Sequence, residues 1–202
     1  MSSGKVLAPD EFSGFTNDTL DFFYGLMQNN SKQWFDDNRE AYDKFVIAPA
    51  RSLVLAFGDR LKTIAPEIVA EPKVNRSLFR INRDVRFSKD KTPYKTNLGV
   101  WMWEGIGKRM ESSGFYFHIE PPRMLIGVGM KGFSKELMAR YRASFKDEKK
   151  AMKLVRIVDK LKKQGYDIGG LRYKRVPKGY SEDLPYAELL KYDGMVAFKE
   201  SL

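Results

Sequence analysis

Leu98-Gly99-Val100-Trp101-Met102-Trp103, then Phe115-Tyr116-Phe117-His118-Ile119, then Met124-Leu125-Ile126-Gly127-Val128, are the runs whose reading decides the fold. The first is rich in β-formers and places Trp101 and Trp103 on one face. The second alternates, so Phe115, Phe117 and Ile119 share one face, while Tyr116, His118 and Glu120 share the other. Glu104–Ser113 holds two glycines and reads as a loop. Pro121-Pro122 makes a turn, and Met124–Val128 returns as the second arm of a hairpin.

Helical spacing dominates on both sides of these strands. A helix is expected from Thr16 or Asn17, either of which can cap it, with Leu20, Phe23, Leu26 and Met27 inward; Asn29-Asn30 ends it. Ser31 is a second N-cap. From Phe35 through Tyr42, Phe45, Val46, Pro49, Leu53, Phe57 and Leu61 to Ile64, apolar residues recur at steps of mainly three and four, one stripe on a long helix. Pro49 should kink that helix or divide it, and Ala65-Pro66 should close it.

A short strand or turn is expected near Leu78–Ile81. Ser134 caps a helix to about Phe145, and another runs from Lys149 to Gln164. Tyr166–Ile168 and Leu171–Tyr173 read as a small hairpin around Gly169-Gly170. Leu184–Leu190 reads as a short helix, and Met195–Lys199 as a terminal strand. Helices, then antiparallel strands, then helices define an α+β class: N-terminal helices packed on a mostly antiparallel sheet, with further C-terminal helices. Residues 1–12 read as a flexible lead-in and 13–202 as a single domain.

At 202 residues and 43% hydrophobic content, the chain is long enough to bury about 70% of its unfolded surface. It has no cysteine, which excludes disulfides, thiolate metal sites and cysteine catalysis. The N-terminus lacks the apolar core of a leader, and no run approaches the ~20 apolar residues that span a membrane; a cytoplasmic protein without membrane partners is expected. Net charge is +10, distributed as −3 over residues 1–75, +4 over 76–120 and +9 over 121–202. Such a basic pole attracts phosphates, nucleic acid, acidic lipids or acidic proteins, although the lysines of 146–163 read more simply as a solvated helix face.

Two motifs fail on inspection. Gly127-Val128-Gly129-Met130-Lys131-Gly132 matches a dinucleotide fingerprint, but its strand belongs to a hairpin and no strand with a terminal acid follows. A strand-to-helix glycine turn accounts for it. His118 is the only histidine and has no nucleophile-elbow partner, so it reads as a hydrogen-bonded residue of a sheet. One histidine excludes a histidine-rich metal centre, and the cations beside Asp84 and Asp90 argue against a carboxylate one; no metal and no cofactor are expected.

The segment with chemical content is 76–95, which carries seven basic and two acidic residues. Extended, it turns Arg80, Asn82, Asp84 and Arg86 one way and leaves Arg83 among Ile81, Val85 and Phe87, where it needs an acid or an anion. Alternatively, helical spacing brings Arg76, Arg80 and Arg83 together. Guanidinium groups grip phosphate or carboxylate in two-point fashion. The candidate ligand-binding residues are Arg80, Arg83, Asp84, Arg86, Ser88, Asp90, Lys91, Tyr94 and Lys95.

Arg80-Ile81-Asn82-Arg83-Asp84-Val85-Arg86-Phe87-Ser88-Lys89-Asp90-Lys91-Thr92-Pro93-Tyr94-Lys95 resembles the hallmark of a bacterial family of uncharacterised proteins, a domain of unknown function. Asn29–Arg39, Gly127–Met130 and Leu171–Gly179 resemble it as well, so the likeness extends over roughly 12–200; Phe133 and Tyr186 depart from the pattern. The resemblance implies one full-length domain of mixed α/β structure and carries no activity.

Three functions compete. The first is an anion-recognising pocket for a small phosphate- or carboxylate-bearing ligand, with Asp84 or Asp90 as orienting group or base. The second is a nucleic-acid-binding module that uses the basic residues of 131–178, with Trp101, Trp103 or Tyr173 as stacking surfaces. The third is a protein-interaction domain in which Arg83–Asp84 or Arg86–Asp90 pairs are purely structural. Reaction type and oligomeric state stay open.

Overall fold

Thr16 and Asn17 mark the start of the first helix in the computed structural model, which describes residues 12–201. Of the expected lead-in at 1–12, all but Phe12 lies outside the described residues. Phe12 packs edge-on against Phe15 and Phe57.

Helix α1 (Asn17–Gln28) buries Thr19, Phe22, Phe23 and Leu26, while Met27 faces solvent. The Thr16 hydroxyl turns to Asp18 at 3.1 Å rather than capping the helix. Ser31 does cap α2 (Lys32–Asp37), accepting from the Trp34 N–H at 3.2 Å.

The single long helix expected after Ser31 is in fact broken twice. Asn38 separates α2 from α3 (Arg39–Tyr42), and a π-helical turn, Asp43–Ile47, joins α3 to α4 (Ala48–Leu61). Pro49 lies in the first turn of α4, so the break comes before the proline. Pro49 has no N–H to offer the Phe45 carbonyl four residues back. Thr19, fully buried on α1, donates its hydroxyl to that oxygen at 2.7 Å. The extra residue in the π turn also rotates the stripe, so Ile47, Ala50 and Val54 are buried while Phe57 and Ile64 are exposed.

The strands are β1 (Ile68–Val69), β2 (Leu98–Glu104), β3 (Gly114–Glu120), β4 (Arg123–Met130), β5 (Asp167–Leu171) and β6 (Tyr192–Ser201). They form a six-stranded, open antiparallel sheet in the order β1-β2-β3-β4-β6-β5. With its N-terminal and further helices the chain is α+β. Packing divides the described chain into two compact units: residues 12–106, Tyr116–Leu125 and 200–201 in one, Gly107–Phe115 and Ile126–Lys199 in the other.

The core of the first unit joins Phe22, Phe23 and Leu26 of α1, Phe35 of α2 and Leu53 and Val54 of α4 to Leu98 and Val100 of β2. Strand β2 is buried from Leu98 to Trp103, so both of its faces are covered and not only the tryptophan face. On β3 the expected alternation holds: the Tyr116 hydroxyl lies 2.9 Å from Nδ1 of His118, whose Nε2 lies 3.6 Å from Glu120.

The second unit packs α5 (Lys135–Ser144), capped by Ser134, and α6 (Glu148–Lys163) around Phe145, Ala151, Val158, Leu190 and Tyr192. The small hairpin expected around Gly169-Gly170 does not form. Both glycines lie inside β5, which pairs antiparallel with β6, and the register shifts between Gly169 and Leu171. A Cβ on Gly170 would stand 2.2 Å from the Gly194 carbonyl oxygen, so this glycine serves close backbone approach at a bulge. Of the glycines in the strand-to-helix turn expected at Gly127–Gly132, only Gly132 lies in the connection from β4 to α5. Gly127 and Gly129 are strand residues of β4 facing β6, and at Gly129 the β6 backbone leaves no room for a Cβ. Where a short helix was expected at Leu184–Leu190, a 3₁₀ turn covers Ala187–Lys191.

Among the described residues no helix is long and apolar enough to cross a membrane.

Candidate functional site

Residues 77–101 form a braced excursion from the sheet. Trp101 N–H donates to the Ser77 carbonyl at 2.7 Å and Phe79 N–H to Gly99 at 3.0 Å, with Leu78 bridged antiparallel to Val100. Further out, Arg83 N–H reaches the Pro93 carbonyl and Lys95 N–H the Ile81 carbonyl, both at 2.8 Å, and Asn82 is bridged antiparallel to Tyr94. The two arms are therefore an irregular antiparallel ribbon, and 84–92 is its tip. The helix face that would have gathered Arg76, Arg80 and Arg83 does not exist.

The ribbon is rooted in the core by Leu78, Ile81 and Tyr94, all buried. Tyr94 stacks on Phe35 with ring centroids 4.3 Å apart. Asn30 clamps it from the α1–α2 junction, accepting from the Tyr94 N–H at 3.1 Å and donating to its carbonyl at 3.0 Å. Arg76, at the base, forks onto Glu71 and lies over the Trp103 ring.

The tip holds itself by its own charges. Arg86 donates to both oxygens of Asp84, at 2.9 and 2.7 Å. Arg83, with only 26% of its side chain exposed, donates to Asp90 and to the Thr92 hydroxyl. Asp90 in turn accepts from the N–H and the hydroxyl of Thr92, each at 2.9 Å. Lys91 Nζ donates to the Val85 carbonyl at 2.9 Å, and Ser88 N–H to the same oxygen at 3.3 Å. Lys95 Nζ donates to the Arg80 carbonyl at 2.8 Å. The pairs are thus Arg83–Asp90 and Arg86–Asp84, the reverse of the sequence expectation. An extended chain turns Arg83 and Asp84 to opposite sides, whereas the bend at the tip returns Asp90 to Arg83.

These contacts set the protonation of the two acids. Arg86 holds the Asp84 carboxyl below its ordinary value. The Thr92 N–H, with the Arg83 guanidinium and the Thr92 hydroxyl, holds Asp90 at about 2, against an ordinary 3.8. A carboxylate so depressed is a weak base at neutral pH. It also links stability to pH. A carboxyl whose pKa falls on folding stabilises the protein above its unfolded value, and that contribution drains away as pH drops through the folded value. The window for Asp90 is therefore about pH 4 down to about pH 2. Across it, the urea midpoint of wild type is expected to fall more steeply than that of Asp90→Asn; parallel curves would mean that Asp90 ionisation is uncoupled from folding.

The nine candidate residues are accordingly brought together in one element with different duties. Arg80, Arg86 and Lys91 are exposed. Arg83 with Asp90 and Arg86 with Asp84 brace the loop, both carboxylates remaining about half-exposed, and Lys95 is tied to the Arg80 carbonyl. Ser88 has its N–H engaged, and Tyr94 is part of the core. Among the aromatic residues considered for stacking, Trp101 and Trp103 are buried, and Tyr173 is 43% exposed with the Arg142 guanidinium 5.2 Å from its ring centroid. Sequence reasoning missed Phe87, which it placed with Ile81 and Val85; the ring is 96% exposed at the tip. The available signal was its neighbourhood: from Arg86 to Lys91 it is the only apolar residue.

Residues 18–201 match the conserved hypothetical protein family DUF2461, and the chain belongs to that family, a domain of unknown function. No curated protein and no solved structure matches the chain.

Proposed function

We propose that the protein is a binding module that recognises a phosphate-bearing anion on residues 80–91, the outer part of the 77–101 ribbon. The observation that carries this reading is that both tip carboxylates are already engaged by partners inside the loop. Residues 80–91 hold five basic and two acidic side chains, so a net +3 stands on a backbone whose shape needs no ligand. Arg80, Arg86 and Lys91 meet the anion in this reading, Lys95 supports Arg80 from behind, and Arg83, Asp84, Ser88, Asp90 and Tyr94 keep the loop in form. The Arg80 guanidinium suits two-point hydrogen bonding to phosphate, while Arg86, its fork held on Asp84, offers its remaining Nη1 donors and its charge. The low basicity of Asp84 and Asp90 favours binding over proton transfer. We place the protein in the bacterial cytoplasm, in keeping with its cysteine-free sequence.

Inorganic polyphosphate, a chain of phosphates without bases, tests this reading. Arg80→Gln with Arg86→Gln is expected to weaken its binding about tenfold or more and to flatten the salt dependence, because each lost phosphate contact removes roughly 0.7–0.9 from the log–log slope. The charge-matched pair Lys149→Gln with Lys153→Gln, on the solvated face of α6, should bind nearly as wild type does. Equal losses in both double variants would leave only the general attraction of a basic protein and refute a site at the tip.

A further inference from the structure

Resting on that phosphate-binding reading, we propose that Phe87 is a base-stacking platform and that the ligand of the tip is single-stranded nucleic acid. The ring is 96% exposed, and the contacts around it show that this exposure is imposed by the loop. The Asp84–Arg86 fork fixes the residue before it. Ser88 N–H and Lys91 Nζ, both on the Val85 carbonyl, close the backbone behind it. The backbone therefore projects the ring outward instead of letting it fold back onto Val85.

The surroundings select the partner. Arg86 lies over the ring with its guanidinium carbon 5.9 Å from the centroid, and Lys89 and Lys91 follow in the chain. A single aromatic face among cations suits a nucleobase with phosphates on either side of it. Bases inside a duplex are stacked on one another and cannot offer that face, so the strand must be single. An apolar protein partner would need a contiguous apolar patch, and between Arg86 and Lys91 Phe87 has no apolar neighbour. An anionic lipid surface would have to receive the ionised Asp84 and Asp90 along with the ring.

The test uses the full chain and a fluorescein-labelled twelve-nucleotide oligo-dT, read by anisotropy, with unlabelled polyphosphate as competitor. Phe87→Ala is expected to weaken oligo-dT binding about tenfold while leaving its salt slope and the polyphosphate affinity unchanged. Phe87→Trp should restore binding, and its fluorescence should be quenched by the strand. Thermal melting should be the same for all three proteins, because the side chain buries nothing that the variants could lose. If Phe87→Ala binds oligo-dT as wild type does while polyphosphate still binds, stacking is refuted and the phosphate reading survives. If neither probe binds wild type, both readings fall. Equal affinity for the dA–dT duplex overturns the single-strand assignment, and binding only to phosphatidylserine vesicles overturns the nucleic-acid assignment in favour of a membrane surface.

Discussion

Gly129→Ala is expected to lower the melting temperature by roughly 6–12 °C, the equivalent of about 3 kcal/mol or more in a chain of this size. Two costs combine. Gly129 sits at φ +142°, where an L side chain is strained by about 1–3 kcal/mol. Its Cβ would also stand 2.1 Å from the Met195 carbonyl oxygen and 2.9 Å from the Val196 Cα. Both are backbone atoms of β6, so no rotamer change relieves the clash, and overpacking of this kind costs about 1–3 kcal/mol more. Gly132 provides the control within the same glycine motif. A Cβ there meets nothing within 4 Å, and Gly132→Ala should change stability by no more than about 0.5 kcal/mol. Calorimetric melting of the two variants beside wild type makes the comparison. If Gly129→Ala melts with wild type, the β4–β6 approach is looser than the backbone distances require.

The motif shows where sequence reading succeeds and where it stops. Alternation on β3 and the caps at Ser31 and Ser134 were legible because each rests on a local rule, period two or a hydroxyl beside a free N–H. Glycine obeys no single rule. The sequence pattern suggests turns around Gly170 and Gly129, but each serves close approach of one strand to another, which depends on residues some 25 to 65 positions away, Gly194 and Met195. The π turn before Pro49 is equally non-local in support, since a donor to the Phe45 carbonyl comes from Thr19. In the candidate site, charge density was legible from counting, whereas the partner of each arginine was not. Whether Arg83 meets Asp84 or Asp90 is decided by how tightly 84–92 bends, and Phe87 is thrown outward by that same bend. Local composition located the segment; its conformation assigned the roles.

Tyr94 separates support from contact most sharply. Tyr94→Ala is expected to cost about 3–5 kcal/mol, as deletion of a buried aromatic ring does. The ring is buried and stacked on Phe35 at 4.3 Å, and its loss opens a cavity in the core that α1, α2 and β2 share. The backbone clamp from Asn30 contacts only main-chain atoms of Tyr94, so it does not compensate for the missing ring. Tyr94→Phe keeps the stack and the volume, and should hold both the urea midpoint and the polyphosphate affinity close to wild type. In Tyr94→Ala, weakened binding should track the loss of fold and recover at lower temperature, where the ribbon is again rooted. The informative reverse result is a Tyr94→Phe protein that melts normally but no longer binds polyphosphate. The phenol oxygen would then be a ligand contact, and the division of the segment into an exposed cationic tip and a buried anchor would have to be redrawn around it.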